Sequence, residues 1–383
     1  MSSISPFQRT RDLLSKYDGK DDWIDLSIGS PRHDTPEIIR DVLNSNFDKY
    51  RNYPSANTSA HFGNNLSKWI KNRFELNSNN LQDNLLPISG SREGLFYGGL
   101  LATKLKSGRS TFILPDPFYP VYATAGHYTS KKILALSVHE TDNYLINLEK
   151  IPNDVWSETI AFYLCSPSNP QGTIANDQYL RDLYELSIKY QFIIISDECY
   201  SEIYRTKAPN SILKISEKYN FKNILSFNSL SKRSNAPGLR SGYVFGEKNI
   251  IDEFFNLRNV AAPTVPTPIQ IASEILWADE SHVKNNRKLY NEKFETFHST
   301  LDKKFNFRIP EGGFFAWLNI SEFGSDESVT IKLWESGIKV IPGSYLSLNA
   351  DLGKDSKKFI RIALVGDNDE ISKAAKVINK VIN

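Results

Sequence analysis

Short apolar runs with β character alternate with helical patterns through the middle of the chain. Three runs stand out: AFYLC at residues 161–165, FIIIS at residues 192–196 and NILSFN at residues 223–228. Between the first two runs, Leu180 and Leu183 belong to a segment whose apolar spacing predicts a helix with one buried face. Such alternation is typical of a mainly parallel sheet covered by helices. We therefore expect an α/β fold built as a three-layer sandwich.

The C-terminal part of the chain follows a different pattern. Helical character over Lys288–Phe305 leads into a turn region with glycines, a strand-like run at Phe359–Val365 and a closing helix at Glu370–Val381. This mixture predicts a smaller α+β domain. We expect the small domain to comprise residues 1–44 and 281–383, and the large domain to comprise residues 45–280.

Composition and charge narrow the classes of function. Hydrophobic residues make up 40% of the chain and charged residues 23%, and the formal net charge of +2 gives no reason to expect a nucleic-acid partner. The two cysteines, Cys165 and Cys199, are too few for a disulfide framework and form no CxxC metal pair. The N-terminus has no apolar core of signal-peptide length, and no run is long enough to cross a bilayer. We therefore expect a soluble, cytoplasmic protein with no membrane partner and no metal.

Chemically capable side chains follow each of the three apolar runs. Asn169 follows the first run in SPSNPQG, Asp197 and Tyr200 follow the second in DECY, and Lys232 follows the third in SLSKRSNAPGLR. Open α/β sheets bind ligands beyond the carboxyl ends of their strands, at the point where the strand order reverses. We therefore expect the three segments to form one site.

Lys232 directly follows a buried strand, where an ammonium group without a partner is costly. Desolvation lowers the pKa of such a lysine and makes its amine reactive, and a lysine that forms a Schiff base escapes part of the cost. Ser229, Ser231 and Arg240 could together hold a phosphate dianion, the arginine through a bidentate contact. The alternative is a surface turn in which these residues occur incidentally.

Asp197, Tyr200 and Asn169 each have a structural explanation as well as a functional one. Asp197 could cap the turn after its strand, or it could pair with a protonated pyridine nitrogen and keep that ring electron-poor. Tyr200 could donate to a ring hydroxyl. The amide of Asn169 could donate to the same oxygen without adding charge, although its SNPQG segment is also an ordinary turn.

Three further segments carry weaker signals. SGSRE at residues 89–93 opens a helical run, where free backbone N–H groups make an anion site, but serine and glutamate at this spacing also form an ordinary capping box. An aromatic side chain of DPFYPVY could cover a flat ligand or could belong to the core. Arg361 lies in an apolar strand and needs an anionic partner, either a substrate carboxylate or a structural Asp or Glu.

Together these segments resemble the fold-type I pyridoxal phosphate enzymes, in the class I/II aminotransferase group. The likeness covers nearly the whole chain, and the motifs occur in the family's order: SGSRE, DPFYPVY, SPSNPQG, DECYSEIY, SLSKRSNAPGLRSG, PEGGFFAW, VIPGSY and FIRIALV. The spacings from Lys232 to Arg240 and from Asp197 to Tyr200 also match. The resemblance implies the fold of pyridoxal phosphate-dependent transferases, with residues 45–280 as the cofactor-binding domain, and it implies pyridoxal 5'-phosphate as the cofactor.

The resemblance also implies catalytic roles for matching residues. Lys232 would form the Schiff base and then move the proton between the substrate Cα and the cofactor C4'. Asp197 would pair with the pyridine nitrogen. Asn169 and Tyr200 would contact O3', and Tyr119 would stack on the ring.

Binding residues for the anionic groups follow from the same resemblance. The cofactor phosphate would be held by a set of small, polar and basic residues, namely Gly90, Ser91, Ser229, Ser231 and Arg240, and Arg92 would also contact the cofactor. Arg361 would bind the substrate α-carboxylate, with Gly29 and Asn169 nearby. Tyr53 is similar to the tyrosine that is lent to the neighbouring subunit's phosphate, which implies a homodimer with shared active sites. Family members often place a glycine soon after this tyrosine, whereas here the next glycine is Gly63.

A narrower likeness is to the N-succinyldiaminopimelate aminotransferases of bacterial lysine and cell-wall biosynthesis. It rests on SIGSPRHDTP, SGSREGLF, DECYSEIY, SLSKRSNAPGLRSGY and PTPIQIAS. It implies amino transfer from glutamate to N-succinyl-2-amino-6-oxopimelate, and such a substrate needs a second anion-binding group. Four arginines are candidates that the sequence does not separate: Arg32, Arg92, Arg233 and Arg258.

Two other kinds of function are open at this stage. One is a related enzyme with the same lysine, either an aspartate or LL-diaminopimelate aminotransferase or a C–S β-lyase. The other is a non-enzymatic regulator, although such regulators usually carry a DNA-binding module before the fold, and only about two dozen residues precede the SIGSP segment here. We therefore expect an enzyme whose partners are small amino acids and oxo acids.

Overall fold

The computed structural model describes residues 5–55, 60–262, 264–348 and 354–382, so the first four residues of the N-terminal segment discussed above lie outside it. The strands are β1 Ile24–Asp25, β2 Leu85–Ile88, β3 Thr111–Asp116, β4 Lys132–Ser137, β5 Thr159–Cys165, β6 Ile193–Asp197, β7 Ile224–Ser229, β8 Gly242–Gly246, β9 Phe315–Asn319, β10 Ile338–Lys339, β11 Ile341–Pro342 and β12 Phe359–Ala363. The α-helices are α1 Pro6–Leu14, α2 Ile38–Ser45, α3 Ala60–Phe74, α4 Ser91–Leu105, α5 Val121–Tyr128, α6 Asn153–Ser157, α7 Asp177–Tyr190, α8 Ile212–Ser216, α9 Leu230–Arg233, α10 Lys248–Ala261, α11 Thr267–Ala278, α12 Ser281–Thr300, α13 Asp326–Glu335 and α14 Asn368–Val381.

The central sheet has the strand order β2-β8-β7-β6-β5-β3-β4 within the described residues. The pairs from β4 to β7 are parallel, whereas β8 is antiparallel to both of its neighbours. The strand order reverses after β4, because β4 and β5 lie on opposite sides of β3. The carboxyl ends of β3, β5, β6 and β7 therefore share one edge, and the expected α/β fold with a mainly parallel sheet is confirmed.

Alternate residues of the central strands enter two separate cores. In β5, Phe162 and Leu164 pack in one core, while Ala161, Tyr163 and Cys165 pack in the other. Residues of α3, α7 and α11 join the first core, and residues of α4, α5 and α10 join the second. All positions of β5, β6, β7 and β8 are buried, because helices cover both faces of the sheet. Helices, sheet and helices thus form the three layers.

A smaller group of strands and helices contains the C-terminal part of the chain. Strands β11, β12 and β9 form an antiparallel sheet, and β1 pairs with β10 in parallel. Apolar side chains of β1, β9, β10 and β12 share one core with α12, α13 and α14, whereas Ile341 of β11 packs in a separate small cluster. Helix α12 begins at Ser281 rather than Lys288, because the carboxylate of Asp279 accepts from the first free N–H groups. The boundaries at residues 44/45 and 280/281 stay a prediction.

Three general features bear on function. No helix in the described part of the chain is both long and apolar enough to span a membrane. Within the same residues, His, Cys, Asp and Glu side chains form no group of three or more that could hold a metal ion. Cys165 and Cys199 are both buried free thiols.

Candidate active site

A cavity of about 440 Å³ lies at the carboxyl edge of the central sheet. Its walls come from the segments after β1, β3, β5, β6 and β7 and from the start of α4. It brings together most of the residues that the sequence singled out, namely Gly29, Ser91, Arg92, Tyr119, Asn169, Asp197, Tyr200, Ser229, Ser231, Lys232, Arg240 and Arg361. The polar residues that follow three separate strands thus face one space.

Lys232 lies in α9, a short helix that begins directly after β7. The Ser229 side chain accepts from Ser231 N at 3.1 Å and so caps this helix. The Lys232 ammonium donates to Gly29 O at 2.5 Å and lies 5.1 Å from the centre of the Phe314 ring. Burial lowers the pKa of Lys232 to about 8. A substantial share of this amine is therefore neutral near pH 8.

Asp197 ends β6 and receives a donor on each carboxylate oxygen. The hydroxyl of Tyr122 donates to Oδ2 at 2.7 Å, and the backbone N–H of Cys199 donates to Oδ1 at 3.2 Å. The second contact is the turn cap considered from the sequence, so that explanation is correct, and each carboxylate oxygen can still accept from a further donor. Burial raises the pKa of Asp197, and a cation bound in the cavity would favour its ionised form.

Arg361 reaches the cavity from β12 and is buried. Its guanidinium donates to Ser27 O at 2.9 Å and to Asn169 Oδ1 at 3.2 Å, and it lies 4.4 Å from the centre of the Phe315 ring. Burial lowers the pKa of Arg361 to about 10. No Asp or Glu of the described residues pairs with it, and its Nε has no hydrogen-bond partner among them. A buried cation without an anion suits a ligand carboxylate.

One corner of the cavity collects groups that can hold an anion. Gly90 has φ +86° and ψ 157°, and a Cβ added to it would lie 2.3 Å from Arg240 Nη2. Arg240 donates to a backbone carbonyl of the loop before α4 at 2.9 Å. Ser229 Oγ donates to Ser231 Oγ at 2.9 Å. Helix α4 starts here at Ser91, where its dipole favours negative charge.

The capping-box explanation for SGSRE is half correct. Glu93 does accept from Ser89 N, at 2.9 Å, but the N-cap residue is Gly90, which has no side chain to complete the box. Glu93 is also bound by Arg258 at 2.7 Å. These contacts hold the loop in place, while the start of α4 remains beside the cavity.

Of the four arginines considered for a second anion, Arg92 is the one that lines the cavity. Its Nε donates to the Tyr119 hydroxyl at 2.7 Å, and the residue is otherwise exposed. The other three form ion pairs outside the cavity: Arg32 with Glu370 at 3.1 Å, Arg233 with Glu280 at 2.6 Å and Arg258 with Glu93 at 2.7 Å. Geometry thus separates candidates that the sequence could not.

Tyr119 and Tyr200 are the cavity's two predicted aromatic residues. Tyr119 is half-buried, and its ring centre lies 5.8 Å from that of Tyr122. Tyr200 is buried, with its ring centre 5.2 Å from that of Phe314. Burial raises the pKa of Tyr200 well above its usual value, so its hydroxyl keeps its proton.

The sequence was also compared with models of protein families. The model for aminotransferase class I and II matches residues 21–378. The chain belongs to the class I and II aminotransferases. It is therefore an enzyme of the aminotransferase type, and its family depends on pyridoxal 5'-phosphate.

This aminotransferase is similar to several named proteins along nearly its whole length. It is 27% identical to LL-diaminopimelate aminotransferase of Maridesulfovibrio salexigens, over 94% of this chain and 92% of that protein. The crystal structure of an aminotransferase from Neisseria meningitidis is 32% identical, covers 99% of this chain and 98% of that chain, and gives a TM-score of 0.92. A probable N-succinyldiaminopimelate aminotransferase from Thermus thermophilus shares the fold, with 24% identity, coverage of 98% and 100%, and a TM-score of 0.85.

The residues of the cavity fit pyridoxal phosphate. A phosphate needs several donors around one point, and the aminotransferase offers them in the corner formed by Gly90, Ser91, Ser229, Ser231 and Arg240. The backbone conformation at position 90, with φ +86°, favours glycine, and a side chain there would also meet the Arg240 guanidinium. The buried carboxylate of Asp197 suits a pyridinium nitrogen, and the partly neutral amine of Lys232 suits an aldehyde.

Tyr53 lies apart from the cavity. Its side chain is fully exposed and does not line the walls formed by its own chain. Family members often have a glycine soon after this tyrosine, whereas here the next glycine is Gly63. Residues 56–59 of the loop between them lie outside the described residues, so this difference has no structural account.

Sequence reasoning missed several residues of the site. Tyr122 could have been found, because it lies three residues after Tyr119 at the start of a helix, where such a spacing brings both to one side. Phe7 lines the cavity from α1, whose start was readable from the capping Ser5 followed by Pro6. Nothing in the local pattern connected that helix with a site more than a hundred residues away.

Proposed function

We propose that this aminotransferase transfers the amino group of glutamate to N-succinyl-2-amino-6-oxopimelate. The observation that supports this substrate class is that the cavity holds two guanidinium groups, those of Arg361 and Arg92, in addition to that of Arg240 in the phosphate corner. Glutamate and the proposed acceptor each carry a carboxylate beside the reacting carbon and another anionic group farther away. Arg361 would bind the first group in a buried setting, and Arg92 would bind the second near the exposed rim.

Pyridoxal phosphate, when bound, supplies an aldehyde that exchanges amines and an electron-accepting ring. Lys232 is placed to move the proton, because its lowered pKa leaves the amine available as a base and its position beside Gly29 O fixes its direction. Asp197 would hold the ring nitrogen in its protonated form, oriented by Tyr122. The amide of Asn169 and the hydroxyl of Tyr200 would contact O3'.

Substrate orientation would depend on Arg361 and its neighbours. The Ser27 carbonyl and the Asn169 side chain hold the guanidinium from two directions. A carboxylate would therefore meet a cation whose orientation is already fixed, which reduces the entropy lost on binding. Phe315 and Phe7 flank the same group at 4.4 and 5.9 Å from their ring centres and limit the access of water.

We also infer a homodimer with shared active sites. Clusters of exposed apolar side chains mark interaction surfaces, and the segment around Tyr53 carries three such side chains, with Phe47 71% and Tyr50 44% exposed. Val260, 89% exposed, is another on the large domain. Tyr53 is fully exposed, so its hydroxyl is free to reach a phosphate held by a second subunit.

A second candidate is amino transfer from LL-diaminopimelate to 2-oxoglutarate, which gives glutamate and the oxo acid of diaminopimelate, or the reverse reaction. The relative at 27% identity from Maridesulfovibrio salexigens carries that activity in its name. Two guanidinium groups would serve LL-diaminopimelate as well, since that molecule also bears carboxylates at both ends.

The test follows the visible absorbance of the purified enzyme loaded with pyridoxal phosphate. We expect glutamate to remove the band of the lysine-bound cofactor and N-succinyl-2-amino-6-oxopimelate to restore it. Loss of the band with LL-diaminopimelate, and no recovery with the succinylated acceptor, would favour the second candidate. Release of pyruvate and ammonia from a cysteine conjugate, without any oxo acid, would instead identify a C–S β-lyase.

A further inference from the structure

His33 lies outside the cavity but is joined to Lys232 by a chain of hydrogen bonds. It belongs to the segment between β1 and α2, four residues after Gly29. His33 Nδ1 is 2.7 Å from Asn286 Oδ1, and Asn286 Nδ2 donates to the backbone carbonyl of Lys232 at 3.1 Å. On the other side of the ring, the amine of Lys293 contacts His33 Nε2. One imidazole therefore connects helix α12 with the site.

The hydrogen bonds fix the protonation state of the ring. The amide of Asn286 must point its nitrogen toward the Lys232 carbonyl, which leaves its oxygen, an acceptor, facing His33 Nδ1. Nδ1 therefore carries the proton. The amine of Lys293 is a donor, so Nε2 must accept from it. Both contacts together require the neutral ring protonated at Nδ1.

Lys293 is unusual because it is only 4% exposed and yet has no carboxylate partner among the described residues. Its amine donates instead to His33 Nε2 and to Val365 O, the latter at 3.1 Å. Burying an ammonium in this way is costly, and burial lowers the pKa of Lys293 to about 8. A feature that opposes stability in this manner suggests a functional use.

The segment that His33 holds carries acceptors for both cations of the site. Ser27 O accepts from Arg361 at 2.9 Å, and Gly29 O accepts from Lys232 at 2.5 Å. The ring of His33 also packs on Tyr290, with 4.6 Å between ring centres, and Tyr290 stacks on Phe314 beneath the Lys232 amine. A displacement of His33 would therefore change the positions of two carbonyls and of the lysine backbone together.

We propose that His33, held between Lys293 and Asn286, is a positioning residue that sets the Gly29 segment against Lys232 and Arg361 for amino transfer. This inference rests on the function proposed above for Lys232. His33 acts through other residues and does not touch the reacting atoms. The titratable and charged groups around the His33–Lys293 pair are Arg32, Asp34, Asp367, Glu370 and Tyr290, the last of which contacts both side chains.

The first test needs no turnover and examines the ring itself. Imidazole 15N shifts of the full-length enzyme should show His33 neutral and protonated at Nδ1 at pH 7. Burial lowers the pKa of His33, and Lys293 lowers it further. In Lys293→Met, we therefore expect the pKa of His33 to rise. A wild-type ring protonated at Nε2, or a pKa that does not move in Lys293→Met, would overturn the proposal.

The second test measures the half-reaction with glutamate, followed by cofactor absorbance as a function of pH. We expect His33→Leu and Lys293→Met to slow this step about tenfold or more, since small displacements of reacting groups have such effects. Lys288→Met is the matched control, because Lys288 lies on the same helix with a side chain 75% exposed. Its rate should equal that of wild type.

The pH profile separates positioning from mere stability. Protonation removes the acceptor at Nε2 and puts two cations together, so the wild-type rate should fall as pH drops through the pKa of His33. His33→Asn keeps a donor for Asn286 and does not titrate. It should therefore retain most of the neutral-pH rate, and its rate should no longer fall at acidic pH (the acid limb of the profile).

Three results would contradict the proposal. They are an unchanged acid limb in His33→Asn, rates of His33→Leu and Lys293→Met within about twofold of the control, or the absence of any rate recovery in His33→Asn relative to His33→Leu. If His33→Leu does not fold, the rates and pH profiles of His33→Asn and Lys293→Met test the proposal in its place. Failure of wild type to react with glutamate would refute the proposed function instead, and the 15N result would still stand.

Discussion

At the scale of single residues, the contrast between Arg92 and Arg361 predicts how the enzyme distinguishes its substrates. Replacing Arg92 with Met should raise KM for glutamate about ten- to a hundredfold, because a hydrogen bond to a charged group contributes about 1.5–3 kcal/mol. The KM for an amino donor without a distal carboxylate, such as alanine, should change little. Arg92→Lys keeps the charge, so its KM for glutamate should lie between those of wild type and Arg92→Met. Steady-state kinetics with both donors provides the measurement, and an equal loss for both would contradict the assignment.

Lys232 makes a prediction about pH. Only the neutral amine attacks an aldehyde, and burial lowers the pKa of this lysine to about 8 from an ordinary value near 10.4. The rate at which the cofactor-free enzyme captures pyridoxal phosphate should therefore rise with pH and level off above about 9. Stopped-flow absorbance measures this rate, with Lys232→Ala as the control that forms no lysine-bound cofactor. A midpoint near 10 would show that the amine is not desolvated.

At the scale of elements, the turn into α4 depends on one glycine. Gly90 has a backbone conformation open essentially to glycine alone, and a Cβ would also meet Arg240. Gly90→Ala should therefore cost about 1–3 kcal/mol in this loop and raise the dissociation constant of pyridoxal phosphate about tenfold or more. Gly108→Ala is the matched control, because a Cβ there would meet nothing within 4 Å. Equilibrium binding of the cofactor to both variants tests this.

Strands and helices that are marked by a local pattern of apolar residues were predictable from the sequence. The runs before Asn169, Asp197 and Lys232 became β5, β6 and β7 almost to the residue, because fully buried strands need continuous apolar sequence. The polar residues at the ends of these strands lie at one edge of the sheet, because the carboxyl ends of parallel strands share that edge. Apolar spacing over residues 178–190 likewise predicted a helix, which the structure has as α7, Asp177–Tyr190.

Contacts between distant parts of the chain were beyond local pattern. Lys232 donates to Gly29, 203 residues away, and Arg361 donates to Ser27, 334 residues away. Both acceptors are backbone carbonyls, which every residue possesses, so no residue type marked them. Phe7 reached the cavity in the same way, as one apolar residue of an otherwise ordinary helix. Such positions depend on how the whole chain packs.

At the scale of the whole molecule, the cavity is lined by residues that two different sheets position. Asp197 ends β6 of the central sheet and Lys232 lies just after β7, whereas Arg361 belongs to the antiparallel sheet of the smaller part. The segment after β1 contacts both cations, so any motion between the two parts would change the distance between the group that binds the substrate carboxylate and the group that moves the proton. The proposed dimer would add a third source of residues through Tyr53.

Sharing of sites between subunits predicts complementation. Lys232→Ala lacks the reactive amine, and Tyr53→Ala should weaken the cofactor phosphate contact in the site of its partner. In a dimer formed from one subunit of each kind, one site would combine an intact Lys232 with an intact Tyr53. Random reassociation of equal amounts should place about a quarter of all sites in that state, since half of the dimers are mixed and one of their two sites is complete.

The measurement is transaminase activity after the two inactive or impaired variants are dissociated and reassociated together. Activity clearly above the sum of the separate variants is expected if Tyr53 reaches across the interface. A strictly additive result would place Tyr53 outside the partner's site. Phe47→Glu in both variants is the control, because a charge at this exposed apolar position should disrupt the proposed interface. Sedimentation should then show the single subunit, and mixing should restore nothing.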